Sequence, residues 1–153
     1  MKTLYIDMDN TLVDFKAHLQ NIAPDVLKQH KGRVDEMPGV FALMPPIPGA
    51  IDAFRELSGL FDTYILSTAP WGNPSAWQLK VEWVQLHLGI DDGTPAYKRL
   101  ILSHHKNLNC GHFLVDDRPK HNGPDKFKGK VLKFGSKKYP NWQAVTTYLT
   151  RHQ

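Results

Sequence analysis

Residues 3–12 read Thr-Leu-Tyr-Ile-Asp-Met-Asp-Asn-Thr-Leu. The first four are β-prone, and the run stops at two carboxylates, Asp7 and Asp9, which are two residues apart. A buried strand that ends in carboxylates is typical of an α/β protein, in which ligands bind beyond the carboxyl ends of parallel strands. The beginning of the chain therefore predicts a parallel sheet with a polar site along one edge.

Further β-prone runs and helical patterns alternate along the rest of the chain. The runs lie at residues 63–66, 100–102, 113–115 and 131–134. Apolar residues at helical spacing predict helices at residues 50–57, after Asn73-Pro74 and after Pro140. Strands that alternate with helices predict a three-layer α/β architecture, in which helices cover both faces of a parallel sheet.

The helix after residue 73 has the clearest pattern. Asn73 and Pro74 are typical of an N-cap that is followed by proline at the first helical position. The residues expected to form its buried stripe are Trp77, Val81, Val84 and Leu88. The corresponding residues of the C-terminal helix are Trp142, Val145 and Leu149.

Residues 16–46 interrupt the alternation of strands and helices. A helix is expected at residues 17–29, and a loop rich in proline and glycine follows it. The segment is too long for a turn and too short for a domain. We therefore expect one domain over residues 1–153, with residues 16–46 (the cap segment) inserted next to the first carboxylates, where they can act as a lid.

Composition limits the class of protein. The 153 residues are 41% hydrophobic and 22% charged, which is typical of one globular domain. No apolar run reaches the roughly 20 residues that span a bilayer, and the N-terminus does not resemble a secretory signal. The single cysteine, Cys110, excludes an internal disulfide framework. These features predict a cytoplasmic protein without a membrane partner.

Charge is unevenly distributed although the net charge is only +4. Residues 1–97 contain 7 Lys and Arg against 12 Asp and Glu, whereas residues 98–153 contain 12 against 3. The lysines between residues 120 and 138 lack the interleaved aromatic side chains of a single-strand binding surface. We expect a solvated surface or electrostatic help for a phosphorylated substrate, and we do not expect nucleic acid as the partner.

Polar residues follow three of the predicted strands. They are Asp7 and Asp9, Ser67 and Thr68, and Asp116 and Asp117. Because the carboxyl ends of parallel strands converge, four carboxylates would repel one another unless a cation neutralised them. Oxygen ligands favour Mg²⁺, which in proteins also binds substrate phosphate. A hydroxyl and a lysine at the same edge supply the hydrogen-bond donor and the positive charge that a phosphate needs.

These residues occur in motifs that resemble a known superfamily. Residues 7–12 are similar to the first motif of the haloacid dehalogenase (HAD) superfamily, Ser67-Thr68 to its second motif and residues 114–119 to its fourth. More narrowly, residues 7–15, 46–50, 67–70, 80–84 and 116–119 resemble the 5′(3′)-deoxyribonucleotidases. The resemblance implies a Rossmann-like HAD core with a small helical cap, and a Mg²⁺-dependent phosphatase of nucleoside monophosphates.

The resemblance also implies roles for the acidic residues. Asp7 would be the nucleophile that forms an aspartyl-phosphate, and Asp9 would be the general acid and base. Mg²⁺ would be bound by Asp7, by the main-chain carbonyl of Asp9 and by Asp117. Asp116 would hold this metal site together.

Further roles follow for residues around the phosphate and the nucleoside. The residues implied at the phosphate are Thr68, Ser67, Lys80 and Lys106, with Thr68 preferred over Ser67 as the hydroxyl donor. Phe15 and Phe41 would line the nucleoside pocket beneath the cap. Asn10 stands where the motif most often has glycine, and asparagine tolerates the positive φ that this turn requires. The cap segment is shorter than in the animal enzymes, so the preferred base and sugar are not predicted.

Two other groups of residues have alternative interpretations. His104, His105, Cys110 and His112 are metal-binding residue types, but their spacing matches known structural zinc sites only loosely. We therefore interpret them as loop or surface residues. Trp71 and Trp77 either pack against the protein or stack on a nucleobase.

Two alternative functions remain open from the sequence. A phosphatase of this fold can act on another small phosphoester or on a terminal phosphate of a nucleic acid. A protein of the same fold can also bind a ligand without catalysis, although the retained carboxylates favour an enzyme. The sequence is compatible with either a monomer or a homodimer.

Overall fold

A computed structural model describes residues 1–153 and contains one sheet of five parallel strands. The strands are β1 (Thr3–Ile6), β2 (Asp62–Ser67), β3 (Leu100–Leu102), β4 (Phe113–Asp116) and β5 (Lys130–Lys133). Their order across the sheet is β3-β2-β1-β4-β5. Strands β2 and β3 therefore lie on one side of β1, and β4 and β5 lie on the other. This reversal of strand order leaves a crevice beyond the carboxyl end of β1.

Strand register brings the polar strand ends together. Ile6 of β1 pairs with Ile65 of β2 and with Val115 of β4. The ladder continues one residue further, because the main-chain NH of Asp7 donates to the carbonyl of Val115 at 2.9 Å. Asp7 therefore leaves the sheet beside Asp116, the last residue of β4. The predicted α/β fold class, with its parallel sheet and Rossmann-like core, is confirmed.

Five helices accompany the sheet. They are α1 (Phe15–Gln20), α2 (Pro24–Gln29), α3 (Ala50–Leu60), α4 (Pro74–Leu88) and α5 (Trp142–Thr150). Short 3₁₀ turns lie at Val34–Glu36, Lys106–Leu108 and Pro124–Lys126. None of the helices combines the length and the apolar character that crossing a bilayer requires.

The two faces of the sheet are covered differently. Leu4 and Ile6 point into the main core, which also contains buried residues of α3, α4 and α5. Tyr5 points to the opposite face, where Leu66, Leu114 and Phe127 form a smaller cluster. Connections with 3₁₀ turns cover this second face, in place of the helices expected on both faces, because residues 117–129 contain two prolines and two glycines, which disfavour a helix.

The cap segment contains two helices where the sequence predicts one. The interruption precedes Pro24, the first residue of α2, and Ala23 is extended with φ −54° and ψ 133°. Proline lacks an NH and disfavours helical backbone in the preceding residue, so α1 cannot continue into α2. The single helix predicted at residues 17–29 was therefore wrong.

The buried stripe of α4 also differs from the prediction. Its buried residues are Ala76, Lys80, Trp83, Val84 and Leu88. Val81 is 40% exposed, and Trp77 is only partly buried. The buried face of α4 is thus rotated relative to the predicted stripe. The reason is that the ammonium group of Lys80 has polar partners inside the protein, so that a lysine occupies a core position. In α5, by contrast, the predicted residues Trp142, Val145 and Leu149 are all buried.

Asn73 stands at the N-cap of α4, but its side chain does not cap the helix. Its amide nitrogen donates to the main-chain carbonyls of Asp35 and Met37 at 2.9 Å each. The indole NH of Trp83 likewise donates to the carbonyl of Met44 at 2.8 Å. Two buried donors of the core thus fasten the cap segment to α4.

The main core predicts the effect of shortening Phe54, a fully buried residue of α3. We expect Phe54→Ala to lower the free energy of unfolding by about 3–5 kcal/mol, because it removes apolar contacts and leaves a cavity. Leu86→Ala is the control, since Leu86 is 71% exposed on α4 and its truncation should cost less than about 0.5 kcal/mol. Urea denaturation measures both values, and equal losses would contradict this description of the core.

Candidate active site

Three carboxylates meet at the carboxyl ends of β1 and β4. One oxygen each of Asp7, Asp116 and Asp117 lies within 4.8 Å of the other two. Asp7 and Asp116 are buried, whereas Asp117 faces the crevice. The structure therefore brings the two acidic motifs together at one edge of the sheet, as their positions at the ends of neighbouring strands predict.

Lys106 lies inside this acidic cluster. Its ammonium group donates to Asp7 Oδ1 at 2.8 Å and to Asp116 Oδ2 at 2.6 Å. The side chain reaches the cluster from the 3₁₀ turn Lys106–Leu108, which covers the second face of the sheet. Burial alone would lower the pKa of Lys106, but Asp7 and Asp116 raise it above its usual value. Lys106 is consequently a permanent buried cation.

One ammonium group does not balance three carboxylates. Burial, together with the charges of Asp7 and Asp116, raises the pKa of Asp117 to about 7. Burial and the charge of Asp7 also raise the pKa of Asp116, although Lys106 opposes this shift. Asp117 forms no ion pair in the structure and lines the crevice, from which an ion can reach it. When all three carboxylates are ionised, their negative charge exceeds the charge of Lys106 by two, and this excess and the all-oxygen donor set fit a hard divalent cation.

Asp9 is held by a second buried lysine. Lys80 Nζ donates to Asp9 Oδ2 at 2.8 Å and to Ser67 Oγ at 3.0 Å, and the Lys80 side chain is completely buried. The other oxygen of Asp9, Oδ1, is buried without a hydrogen-bond partner. Burial raises the pKa of Asp9, with Lys80 acting in the opposite direction. Asp9 thus combines a fixed orientation with one oxygen that is available to a ligand.

Ser67 and Thr68 have different environments although they are neighbours. Ser67 ends β2, is 1% exposed and serves as an acceptor for Lys80. Thr68 lines the crevice beside Asp7 and Lys106, and its hydroxyl donates to the carbonyl of Ser103 at 2.8 Å. Of the two hydroxyls, only that of Thr68 lies where a ligand in the crevice can reach it.

An outer part of the crevice opens between the cap segment and the core. Phe15 and Phe41 lie on its cap side and stack on each other, with ring centroids 5.3 Å apart and planes 13° apart. Trp71 and His104 lie on the core side. Asp9, Thr68, Asp117 and Arg118 line both this outer part and the acidic inner part, which makes the two continuous.

The crevice contains residues that sequence reasoning missed. His121 and Asn122 line its inner part beside Arg118. They lie in the loop after β4, immediately beyond the Asp-Asp-Arg-Pro motif. Their position after a central strand was the available signal, because such loops line the crevice of a parallel sheet.

The histidines near Cys110 point to different partners. His112 Nδ1 accepts a hydrogen bond from the main-chain NH of Thr3 at 3.0 Å. His104 packs against the rings of Trp71 and Trp77. The interpretation of these residues as separate loop and surface residues agrees with this arrangement.

The turn after Asp9 has the predicted backbone. Asn10 adopts φ +57° without glycine, and its side-chain oxygen accepts a hydrogen bond from the main-chain NH of Lys16 at 3.1 Å. This prediction is therefore confirmed. The turn directs the chain from the acidic site into the cap segment.

Comparison with known proteins gives consistent matches. A family model described as "5′ nucleotidase, deoxy (Pyrimidine), cytosolic type C protein" matches residues 22–145. A "Putative 5′(3′)-deoxyribonucleotidase" of Vibrio phage KVP40 is 54% identical over 147 residues, which cover 96% of this chain and 84% of the relative. The human "5′(3′)-deoxyribonucleotidase, cytosolic type" is 33% identical and covers 74% of this chain, with 69% of its own length aligned.

The charge imbalance predicts that a divalent cation stabilises the protein. We expect millimolar Mg²⁺ to raise the melting temperature, because an ion that binds only the folded protein shifts unfolding by mass action. Without Mg²⁺, Asp117→Asn should have a melting temperature equal to or above that of the wild type. Addition of Mg²⁺ should raise the melting temperature of this variant only slightly. Asp125→Asn, which removes an exposed carboxylate elsewhere, is the matched control and should keep the full response. A Mg²⁺ response that survives in Asp117→Asn would contradict this assignment.

Proposed function

The chain belongs to the 5′(3′)-deoxyribonucleotidase family of HAD-superfamily phosphatases, and we propose that it hydrolyses nucleoside monophosphates with Mg²⁺ through an aspartyl-phosphate. The observation that carries this proposal is the arrangement of Asp7, Asp9 and Lys106 at the bottom of a crevice with aromatic walls. A small-molecule substrate and a cytoplasmic location are part of the proposal, supported by the names of the relatives.

Asp7 is the nucleophile in the first step. Lys106 holds one of its oxygens, Oδ1, at 2.8 Å and places a positive charge beside it. The free oxygen attacks phosphorus, the bond from phosphorus to the ester oxygen breaks, and an acyl phosphate forms on Asp7. Asp9 transfers its proton to the departing ester oxygen, which leaves as the hydroxyl of the nucleoside.

Water completes the reaction in the second step. Asp9, now ionised, takes a proton from a water molecule as the water oxygen attacks phosphorus. The bond between phosphorus and the Asp7 oxygen breaks, and inorganic phosphate is released. The raised pKa of Asp9 suits both steps, since the residue must hold a proton before the first step and accept one in the second.

Positive charge and donors for the phosphate come from several elements. Lys106, Thr68 and Arg118 line the inner crevice. Asp7, Asp117 and the main-chain carbonyl of Asp9 would hold Mg²⁺, with Asp116 as a support that is already engaged by Lys106 and by the main-chain NH of Arg118. The bound ion would neutralise the excess carboxylate charge and that of the phosphate oxygens.

Lys80 acts differently from Lys106. It is fully buried, does not line the inner crevice and contacts Asp9 and Ser67. We therefore assign Lys106 to the phosphate and Lys80 to the orientation of Asp9. Ser67 takes part only as a partner of Lys80.

The activity itself is tested with purified protein and a panel of phosphomonoesters. The panel contains 5′- and 3′-monophosphates of nucleosides and deoxynucleosides, sugar phosphates and p-nitrophenyl phosphate, each with Mg²⁺ or with EDTA. We expect nucleotides to be hydrolysed with Mg²⁺, and Asp7→Asn to lower kcat at least about 1,000-fold because the covalent step is lost. Asp125→Asn should keep full activity, and turnover confined to sugar phosphates would overturn the nucleotide assignment.

The role of Lys80 predicts a dependence on the leaving group. We expect Lys80→Met to lower kcat/KM for a nucleotide about 10- to 100-fold, because Asp9 loses the partner that orients its proton. Hydrolysis of p-nitrophenyl phosphate should fall much less, since p-nitrophenolate leaves without protonation. Steady-state kinetics with both substrates measure the ratio, and circular dichroism checks that the variant is folded. Equal losses for both substrates would show that Lys80 acts on the structure rather than on Asp9.

A further inference from the structure

Trp71 is exposed to an unusual degree. It lies in the loop between β2 and α4 and is 85% exposed, whereas Trp83 and Trp142 are 3% and 2% exposed. An indole ring is among the largest apolar groups, and its presence at a surface is typical of a binding site. Trp71 lines the outer part of the crevice, so a ligand bound there can contact its exposed ring.

The loop that presents Trp71 is anchored on both sides. Thr68 before it is bonded to Ser103, and Asn73 after it is bonded to the cap segment through two main-chain carbonyls. A turn closes the loop, because the NH of Asn73 donates to the carbonyl of Pro70 at 3.1 Å. The indole is therefore held at the crevice rather than on a free segment.

His104 supports the ring of Trp71 and adds a polar atom. Its ring centroid lies 6.3 Å from that of Trp71, with planes at 70°, and 6.1 Å from that of Trp77. Its Nε2 is buried without a hydrogen-bond partner, although His104 lines the crevice. A buried polar atom without a partner is costly unless a ligand supplies one.

The aromatic pair on the cap side leaves less ring surface for a ligand. Phe41 is 1% exposed, and its ring contacts Phe15 on one side and the ammonium group of Lys80 at 4.8 Å. Neither face of Phe41 is therefore free to stack on a base, and Phe15 keeps at most one free face. The largest exposed aromatic surface in the crevice belongs to Trp71.

We propose that Trp71 and His104 form the base-binding subsite of the crevice. The indole stacks on the planar heteroaromatic base of the nucleotide, and His104 Nε2 forms a hydrogen bond with a polar atom of the base or sugar. This inference rests on the proposed function, since it names the part of the protein that distinguishes a nucleotide from a phosphorylated sugar.

The test compares substrates with and without a base. We expect Trp71→Ala to lower kcat/KM for a deoxynucleoside 5′-monophosphate about tenfold or more, chiefly through KM, since stacking on a base is lost. Hydrolysis of 2-deoxyribose 5-phosphate, which has no base, should stay within about twofold of the wild-type value. Trp71→Phe should retain most of the nucleotide activity, because a phenyl ring also stacks. Leu86→Ala, which shortens another exposed apolar residue outside the crevice, should change neither substrate.

A binding measurement separates this proposal from the proposed function. In Asp7→Asn, which cannot form the acyl phosphate, a deoxynucleoside monophosphate should quench tryptophan fluorescence, and Asp7→Asn combined with Trp71→Phe should lose that quenching. If the wild type hydrolyses no nucleotide yet this quenching occurs, the activity assignment fails and the subsite stands. If nucleotides are hydrolysed but Trp71→Ala affects both substrates equally or neither, the subsite assignment is wrong.

Discussion

Two buried lysines that approach from opposite faces of the sheet hold the acidic end of β1 together. Lys106 comes from the 3₁₀ turn on the second face and binds Asp7 and Asp116, while Lys80 comes from α4 on the first face and binds Asp9. These ammonium groups offset part of the repulsion and of the burial penalty that carboxylates at this spacing would otherwise have. The position of α4, the turn before β4 and the shape of the crevice all depend on this pairing of charges.

Much of this architecture can be predicted from residues at the ends of strands. Asp7, Thr68 and Asp116 each follow or end a β-prone run, and runs of that kind in an alternating chain indicate a parallel sheet whose carboxyl ends meet. The orientation of α4 could not be predicted in the same way. Hydrophobic periodicity places lysine on the solvent face of a helix. The burial of Lys80 can therefore be explained only from the structure, in which its ammonium group bonds to Asp9. Asn73 stands at the predicted N-cap, but the partners of its amide could not be predicted, since they are main-chain carbonyls that are distant in the sequence.

The cap segment and Asp9, the proposed acid–base residue, are connected through one side chain. Lys80 contacts Asp9 with its ammonium group and also lies over the ring of Phe41, which stacks on Phe15. A change in the packing of the two rings therefore alters the surroundings of the ion pair. This contact makes the short cap segment part of the surroundings of Asp9 and gives a physical reason for its attachment to α4 by Asn73 and Trp83.

The edge strands of the sheet influence whether molecules of the protein aggregate at high concentration. β5 is an edge strand whose terminal residues, Lys130 and Lys133, are both exposed, and β3 at the other edge has only three residues. If a second molecule added its own β5 here in antiparallel fashion, lysines would face lysines across the new ladder. Charged and very short edges of this kind discourage intermolecular sheet extension. They thereby protect a parallel sheet, whose non-local strand pairs generally form slowly, from aggregation during folding.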